Sequence, residues 1–186
     1  MKNEVVIDLG CGRSRHEGAI GVDNAKMPGV DVIADMEEGL PFREGCADSI
    51  MMYHVLEHVQ DFMGVVSELH RILKPGCRAD IRVPYCRCFN AFDPMHKLFF
   101  TEHTFDYYFS DDSPFGYYKD KGRREHKTQS PDCVSCNKVR FRVVRKELVL
   151  NPMKMNKVLS MFIPKPLLKR LVFDAYNEIH FELEKI

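Results

Sequence analysis

The stretch VIDLGCG, Val6 to Gly12, is an apolar run that ends in two glycines one residue apart. Gly10 and Gly12 permit a sharp turn and a close approach of backbone to ligand, because neither carries a Cβ. Asp23 closes the next apolar run, AIGVD. In nucleotide-binding α/β proteins an acidic residue at that place accepts hydrogen bonds from ribose hydroxyls. Asp35 closes a third run, VDVIAD, and is a candidate partner for the edge of a base. The cysteines offer a second chemistry. Cys86-x-Cys88 and Cys133-x-x-Cys136 together could supply four thiolates to a structural zinc ion. The alternative is four small residues in two loops, since the first pair has a less usual spacing. HVLEH, His54 to His58, matches the His-x-x-Glu-His spacing of one class of zinc protease. That reading needs a long helix around the motif and a third ligand.

Those residues need elements to hold them. Val5–Leu9, Ala19–Asp23, Val30–Asp35 and Asp48–Tyr53 are short apolar runs that predict strands of a parallel sheet. Phe62, Val65, Val66, Leu69, Ile72 and Leu73 share one helical stripe, which predicts a helix over Gln60–Leu73. Lys74-Pro75-Gly76 ends it in a turn. Ala79–Val83 predicts a fifth strand, and Arg140–Val149 alternates well enough for another. Met153–Phe173 is amphipathic but divided by Pro164 and Pro166. Ile179–Leu183 alternates apolar and polar, as a final antiparallel strand would.

Taken in order, VIDLGCG, GVD, VIADMEEGLPFREGCADSI, HVLEHV and ELHRILKPGCRADIRVP resemble the class I S-adenosylmethionine-dependent methyltransferases, in particular the type 11 methyltransferase domain. The resemblance runs from about Val5 to Val83 and continues more weakly through FDPMHKLFFTEHTF. It implies a single domain over residues 1–186 with a Rossmann-like, mostly parallel α/β sheet, a C-terminal antiparallel strand and helices on both faces. Residues 1–84 would be the cofactor-binding half, and 85–186 the substrate-side loops, helices and last strands.

The resemblance also implies roles. Gly10, Cys11 and Gly12 would face the amino-acid end of S-adenosylmethionine, with Asp8 fixing the loop. Asp23 would bind the ribose hydroxyls. Asp35 and Met36 would contact the adenine, and His54 would lie beside the methionine part. Methyl transfer is an in-line displacement helped chiefly by alignment, and a base is needed only if the acceptor must lose a proton early. His54, Tyr85 and His96 are the candidate bases. The family order explains HVLEH without metal, leaving Glu57 and His58 structural roles. One departure stands out: only nine residues separate Leu9 from Ala19, fewer than the ~10–12 of a crossover with its helix. Placing the cofactor carboxylate would then fall to Arg13, Arg15 or loop amides. A second subunit in a homodimer, or residues 106–135, would complete the site.

Composition narrows the partners. The apolar fraction is 45%, a globular value. No apolar run reaches the ~18 residues of a membrane span. The start, Met1-Lys2-Asn3-Glu4, resembles no signal peptide, so a cytoplasmic protein is expected. Seven cysteines, an odd count, argue against a disulfide framework. Net charge is zero, yet residues 119–146 carry ten Lys/Arg against three Asp/Glu. That segment supports a rival reading, an RNA methyltransferase, although a solvated loop and strand face explains it as well. A third reading is a non-catalytic cofactor- or partner-binding module descended from a methyltransferase. The first expectation is methyl transfer to a small-molecule acceptor.

Overall fold

Alternation along the late strands decides which side of the sheet is dry. In Tyr176–Lys185 (β7), Ile179, Phe181 and Leu183 are fully buried, while Glu178, His180, Glu182 and Glu184 stand between them. Successive side chains of a strand point to opposite faces. In Leu73–Pro84 (β5), Ala79, Ile81 and Val83 are likewise buried and alternate with Asp80 and Arg82. The computed structural model, which describes residues 4–109 and 139–186, joins both strands to a seven-stranded sheet.

The remaining strands are Val6–Leu9 (β1), Ile20–Asp23 (β2), Val32–Ile33 (β3), Ala47–Tyr53 (β4) and Phe141–Leu150 (β6). Their order in the sheet is β3-β2-β1-β4-β5-β7-β6. Strands β1 to β5 are parallel, and β7 runs antiparallel between β5 and β6. This is the Rossmann-like sheet expected, with the antiparallel C-terminal strand in place. Strand β3 is shorter than its sequence run. It is an edge strand with Ile33 exposed, and Asp31 directs its carboxylate to Gly21 N. The Lys74-Pro75-Gly76 turn is absorbed into β5 as an irregularity. Leu73 pairs with Ala47 and Arg78 with Ser49, so a step of five residues faces a step of two.

Helix α1, Phe62–Ile72, starts at Asp61, whose side chain accepts from Gly64 N at 2.8 Å. It lays Val65, Val66, Leu69 and Ile72 on the apolar face of the sheet. Helix α2, Thr104–Phe109, adds Phe105, which packs edge-on to Phe181 with centroids 4.8 Å apart. Arg71 and Glu68 tie α1 to the loop before β4: Arg71 donates to Phe42 O and Leu40 O, and Glu68 accepts from Leu40 N.

The opposite face is charged. Tyr53 Oη donates to Asp80, and Arg82 lies 4.1 Å over the Tyr53 ring. His180 Nε2 meets Asp80 Oδ1 at 2.6 Å. Arg78 and Arg142 reach Glu184, and Arg78 and Arg145 reach Glu182. Over β5, β7 and β6 this face is therefore covered by ion pairs rather than by apolar side chains. Helices α3 (Lys154–Phe162) and α4 (Lys165–Leu171) follow β6. Ser160 and Lys165 from them line a cleft of about 510 Å³ with Arg82, Glu147, Glu178 and His180. Among the described residues no helix is long and apolar enough to cross a membrane.

Candidate functional site

Strand β1 sits between β2 and β4, so the connections leave it in opposite directions. The crevice at the carboxyl ends of such strands is where open α/β sheets bind ligands. Gly10 and Gly12 stand there with φ of 69° and 55°, a conformation that favours glycine. Gly10 N and Cys11 N both donate to Val22 O, tying the turn to β2. A Cβ on Gly10 would overlap Val55 Cγ2, whereas a Cβ on Gly12 would meet nothing within 4 Å. One glycine therefore packs against the segment after β4, and the other presents bare backbone to open space.

Gly12 N donates to Asp23 Oδ2 at 2.9 Å. The loop thus holds the carboxylate at the end of β2, where its other oxygen receives a long bond from Ala25 N at 3.4 Å. Asp8 is buried, and its Oδ2 accepts from His16 N at 2.9 Å and contacts His16 Nδ1 at 2.8 Å. The His16 ring packs edge-on to Tyr53, 5.0 Å between centroids. His16 thereby braces the short loop where a helix would otherwise do so. Nothing in the sequence marked it.

Arg15 pairs with Asp31. Gly21 N and then Arg15 hold the Asp31 carboxyl below its ordinary range. This leaves the Arg13 side chain for an incoming carboxylate, since the amides of residues 10–12, 14 and 16 are already bonded within the protein. Asp35 is exposed just beyond β3, where its side chain accepts from Glu37 N at 2.9 Å, and Met36 packs against the core. These residues fit S-adenosylmethionine in kind. The Arg13 guanidinium, an open glycine face and a carboxylate at the end of β2 are the kinds of group that an amino acid and a ribose require.

His54 follows β4 with φ of 57°. Its Nε2 donates to Glu178 Oε2 at 2.8 Å, and its Nδ1 lies 3.3 Å from Glu57 Oε1. Its hydrogen bond to Glu178 and then the Glu57 carboxylate beside it push its pKa up to about 9. His54 is therefore an imidazolium at neutral pH, clamped between two carboxylates. It lines a cavity of about 310 Å³ with Glu57, His58, Pro84, Asn90, Asp93 and His96. Glu178 comes from β7, 124 residues away, and no local pattern could have announced it.

Of the other candidate bases, His96 lines the same cavity. Tyr85 is outside that lining. It is buried in the core cluster, and burial followed by Glu102 pushes its phenol up to about 12. Cys86 and Cys88 lie just beyond β5. Burial raises both thiols, and Cys88 Sγ donates to Asn177 O at 3.2 Å. Cys133 and Cys136, the other half of the expected zinc set, lie outside the described residues, as does most of the basic segment 119–146. In its described part, Arg142, Arg145 and Lys146 are paired with Glu184, Glu147 and Asp106.

Residues 7–79 match the family model of the methyltransferase domain. A comparison with curated proteins finds no match. Among solved structures, an S-adenosylmethionine-dependent methyltransferase from Archaeoglobus fulgidus is similar, with a TM-score of 0.64 at 17% identity, over 99% of this chain and 87% of that one. An S-adenosylmethionine-dependent methyltransferase from Mesorhizobium loti gives 0.53 at 15%, over 98% and 91%. The cyclase SpnF gives 0.58 at 10%, over 100% and 76%. The chain thus shares the fold of class I, S-adenosylmethionine-dependent methyltransferases, and its residues 7–79 resemble their methyltransferase domain. The cyclase shows that this fold hosts other reactions, so the reaction has to be argued from the site.

Proposed function

We propose that the protein transfers the methyl group of S-adenosylmethionine to a small acceptor. The observation that carries this reading is the joined glycine turn and acid, Gly12 N on Asp23 Oδ2 at 2.9 Å, at the crevice beside β1. When bound, S-adenosylmethionine supplies an electrophilic methyl on a sulfonium. The chain's own part is to bind, orient and exclude water. Gly10, Cys11 and Gly12 receive the amino-acid end, Asp23 the ribose, and Asp35 and Met36 the adenine. His54 stands at the methyl end, where the rigid clamp of Glu57 and Glu178 fixes its ring.

The acceptor enters from the side of His54 and His96. The turn Phe89–Phe92 that borders this cavity exposes Phe89 and Phe92, which contact Phe173, and Phe92 also contacts Phe99. Such a cluster of exposed aromatics suits an acceptor with an apolar body and a polar head. At the described end of the basic segment, Arg142, Arg145 and Lys146 are paired with carboxylates. Calorimetric titration with S-adenosylmethionine and S-adenosylhomocysteine tests the proposal. Micromolar binding that Asp23→Ala greatly weakens is expected, and an acceptor screen follows. Absence of binding at millimolar cofactor would rule out a stand-alone enzyme.

A further inference from the structure

Glu57 is 1% exposed, yet neither of its carboxylate oxygens has a hydrogen-bond partner. His54 Nδ1, 3.3 Å from Oε1, is a charge contact without hydrogen-bond alignment. His96 Nδ1 is also buried and unpartnered. A buried polar atom left unmet is costly, and here the residues that carry three of them line one cavity. The His58 ring packs edge-on to that of His96, centroids 4.7 Å apart. One donor atom from each of Glu57, His58 and His96 lies within 4.8 Å of the other two. A cation among them could take one donor atom from each residue.

The surroundings are arranged for ligation. His58 Nδ1 donates to Met95 O at 3.2 Å, which leaves the Nε2 lone pair free. Such outer hydrogen bonds orient metal-binding imidazoles. The loop carrying His96 is stapled to Glu57 itself: Lys97 N and Leu98 N both donate to Glu57 O, at 2.7 and 3.2 Å. Met95 N is held in turn by Asp93 Oδ1 at 2.9 Å. This cluster is not the ligand set of the protease spacing, because Glu178 holds His54 and residues 56–58 form a turn rather than a helix.

We propose that Glu57, His58 and His96 form a binding site for a divalent first-row metal ion, with coordination positions left open to the cavity that His54, Asn90 and Asp93 also line. Two imidazoles and a carboxylate suit zinc, iron, cobalt or manganese better than calcium or magnesium. The exposed His58 gives the ion its entry.

The test uses the full chain, stripped with a chelator and titrated with Co2+, followed by calorimetry and by absorption. One ion per chain is expected, with a spectrum of nitrogen and oxygen ligands that changes when azide is added. Glu57→Gln, His96→Asn and His58→Ala should each weaken binding roughly tenfold or more. His58 is exposed, so His58→Ala should keep the wild-type circular dichroism and thermal midpoint. Failure to take up Co2+ at millimolar concentration would overturn the proposal, as would uptake unchanged in all three variants. A strong thiolate-to-cobalt band would place the ion on cysteines and overturn it too. A spectrum indifferent to azide would refute the open positions. S-adenosylhomocysteine binding is measured on the same samples, so loss of the cofactor reading and loss of the metal site are told apart.

Discussion

His16 Nδ1 lies 2.8 Å from Asp8 Oδ2, and this pair ties the ten residues between β1 and β2, where the fold otherwise places a helix, back to β1. Asp8 is buried at 3% exposure, so its carboxylate depends on the partners that the loop brings. His16→Ala removes the ring and leaves the backbone bond from His16 N. A loss of about 1–3 kcal/mol in stability is expected for a buried group deprived of a partner, together with weaker cofactor binding. Urea denaturation and calorimetry on the same variant measure both.

Asp23 carries two loads in the proposed site: it holds Gly12 N and offers its other oxygen to the ribose. Asp23→Ala should lower S-adenosylhomocysteine affinity by roughly a hundredfold, as expected when a charged hydrogen-bonding group worth about 1.5–3 kcal/mol is lost. The half-exposed position predicts a much smaller change in thermal midpoint. A variant that unfolds but binds normally when folded would contradict the assignment.

Gly10 is limited twice, by φ of 69° and by Val55. Gly10→Ala should cost about 1–3 kcal/mol, the scale of strain and overpacking. Val55→Ala in the same chain should recover part of it, because the two side chains would otherwise share one space. A double-mutant cycle by chemical denaturation gives the coupling, expected at about 0.5–3 kcal/mol for residues in contact.

The Glu68 carboxyl is held below its ordinary value, first by the Arg71 bond and then by Leu40 N. A depressed folded-state pKa contributes stability above the unfolded value, about pH 4.3, and loses it as pH falls through the folded value. Wild-type stability should therefore fall below about pH 4 in part through this group. Glu68→Gln should be less stable near neutral pH and show a shallower decline on acidification. Denaturation midpoints across that range read the difference.

The alternation of Ile179, Phe181 and Leu183 with Glu178, His180 and Glu182 shows why so much of the fold was legible. A period of two assigns each side chain to a face without knowledge of any partner, and the strand followed. The helix at 62–72 was legible for the same reason with a different period. The ends were less so. Val30–Asp35 reads as a six-residue strand, but only Val32–Ile33 pair as one, because edge pairing and the side chain of Asp31 intervene.

By itself the sequence determined the parallel strands, the glycine turn, the acid at the end of β2 and the short connection that leaves no room for a helix. These are local facts of periodicity, chain length and backbone freedom. Only the tertiary structure decided that His16 braces that connection, that Glu178 clamps His54 from 124 residues away, and that His96 closes on Glu57 and His58. Those contacts depend on which strands are neighbours and how the 93–98 loop is hydrogen-bonded to Glu57 O. A linear pattern does not encode distances between residues that meet only when the sheet is assembled.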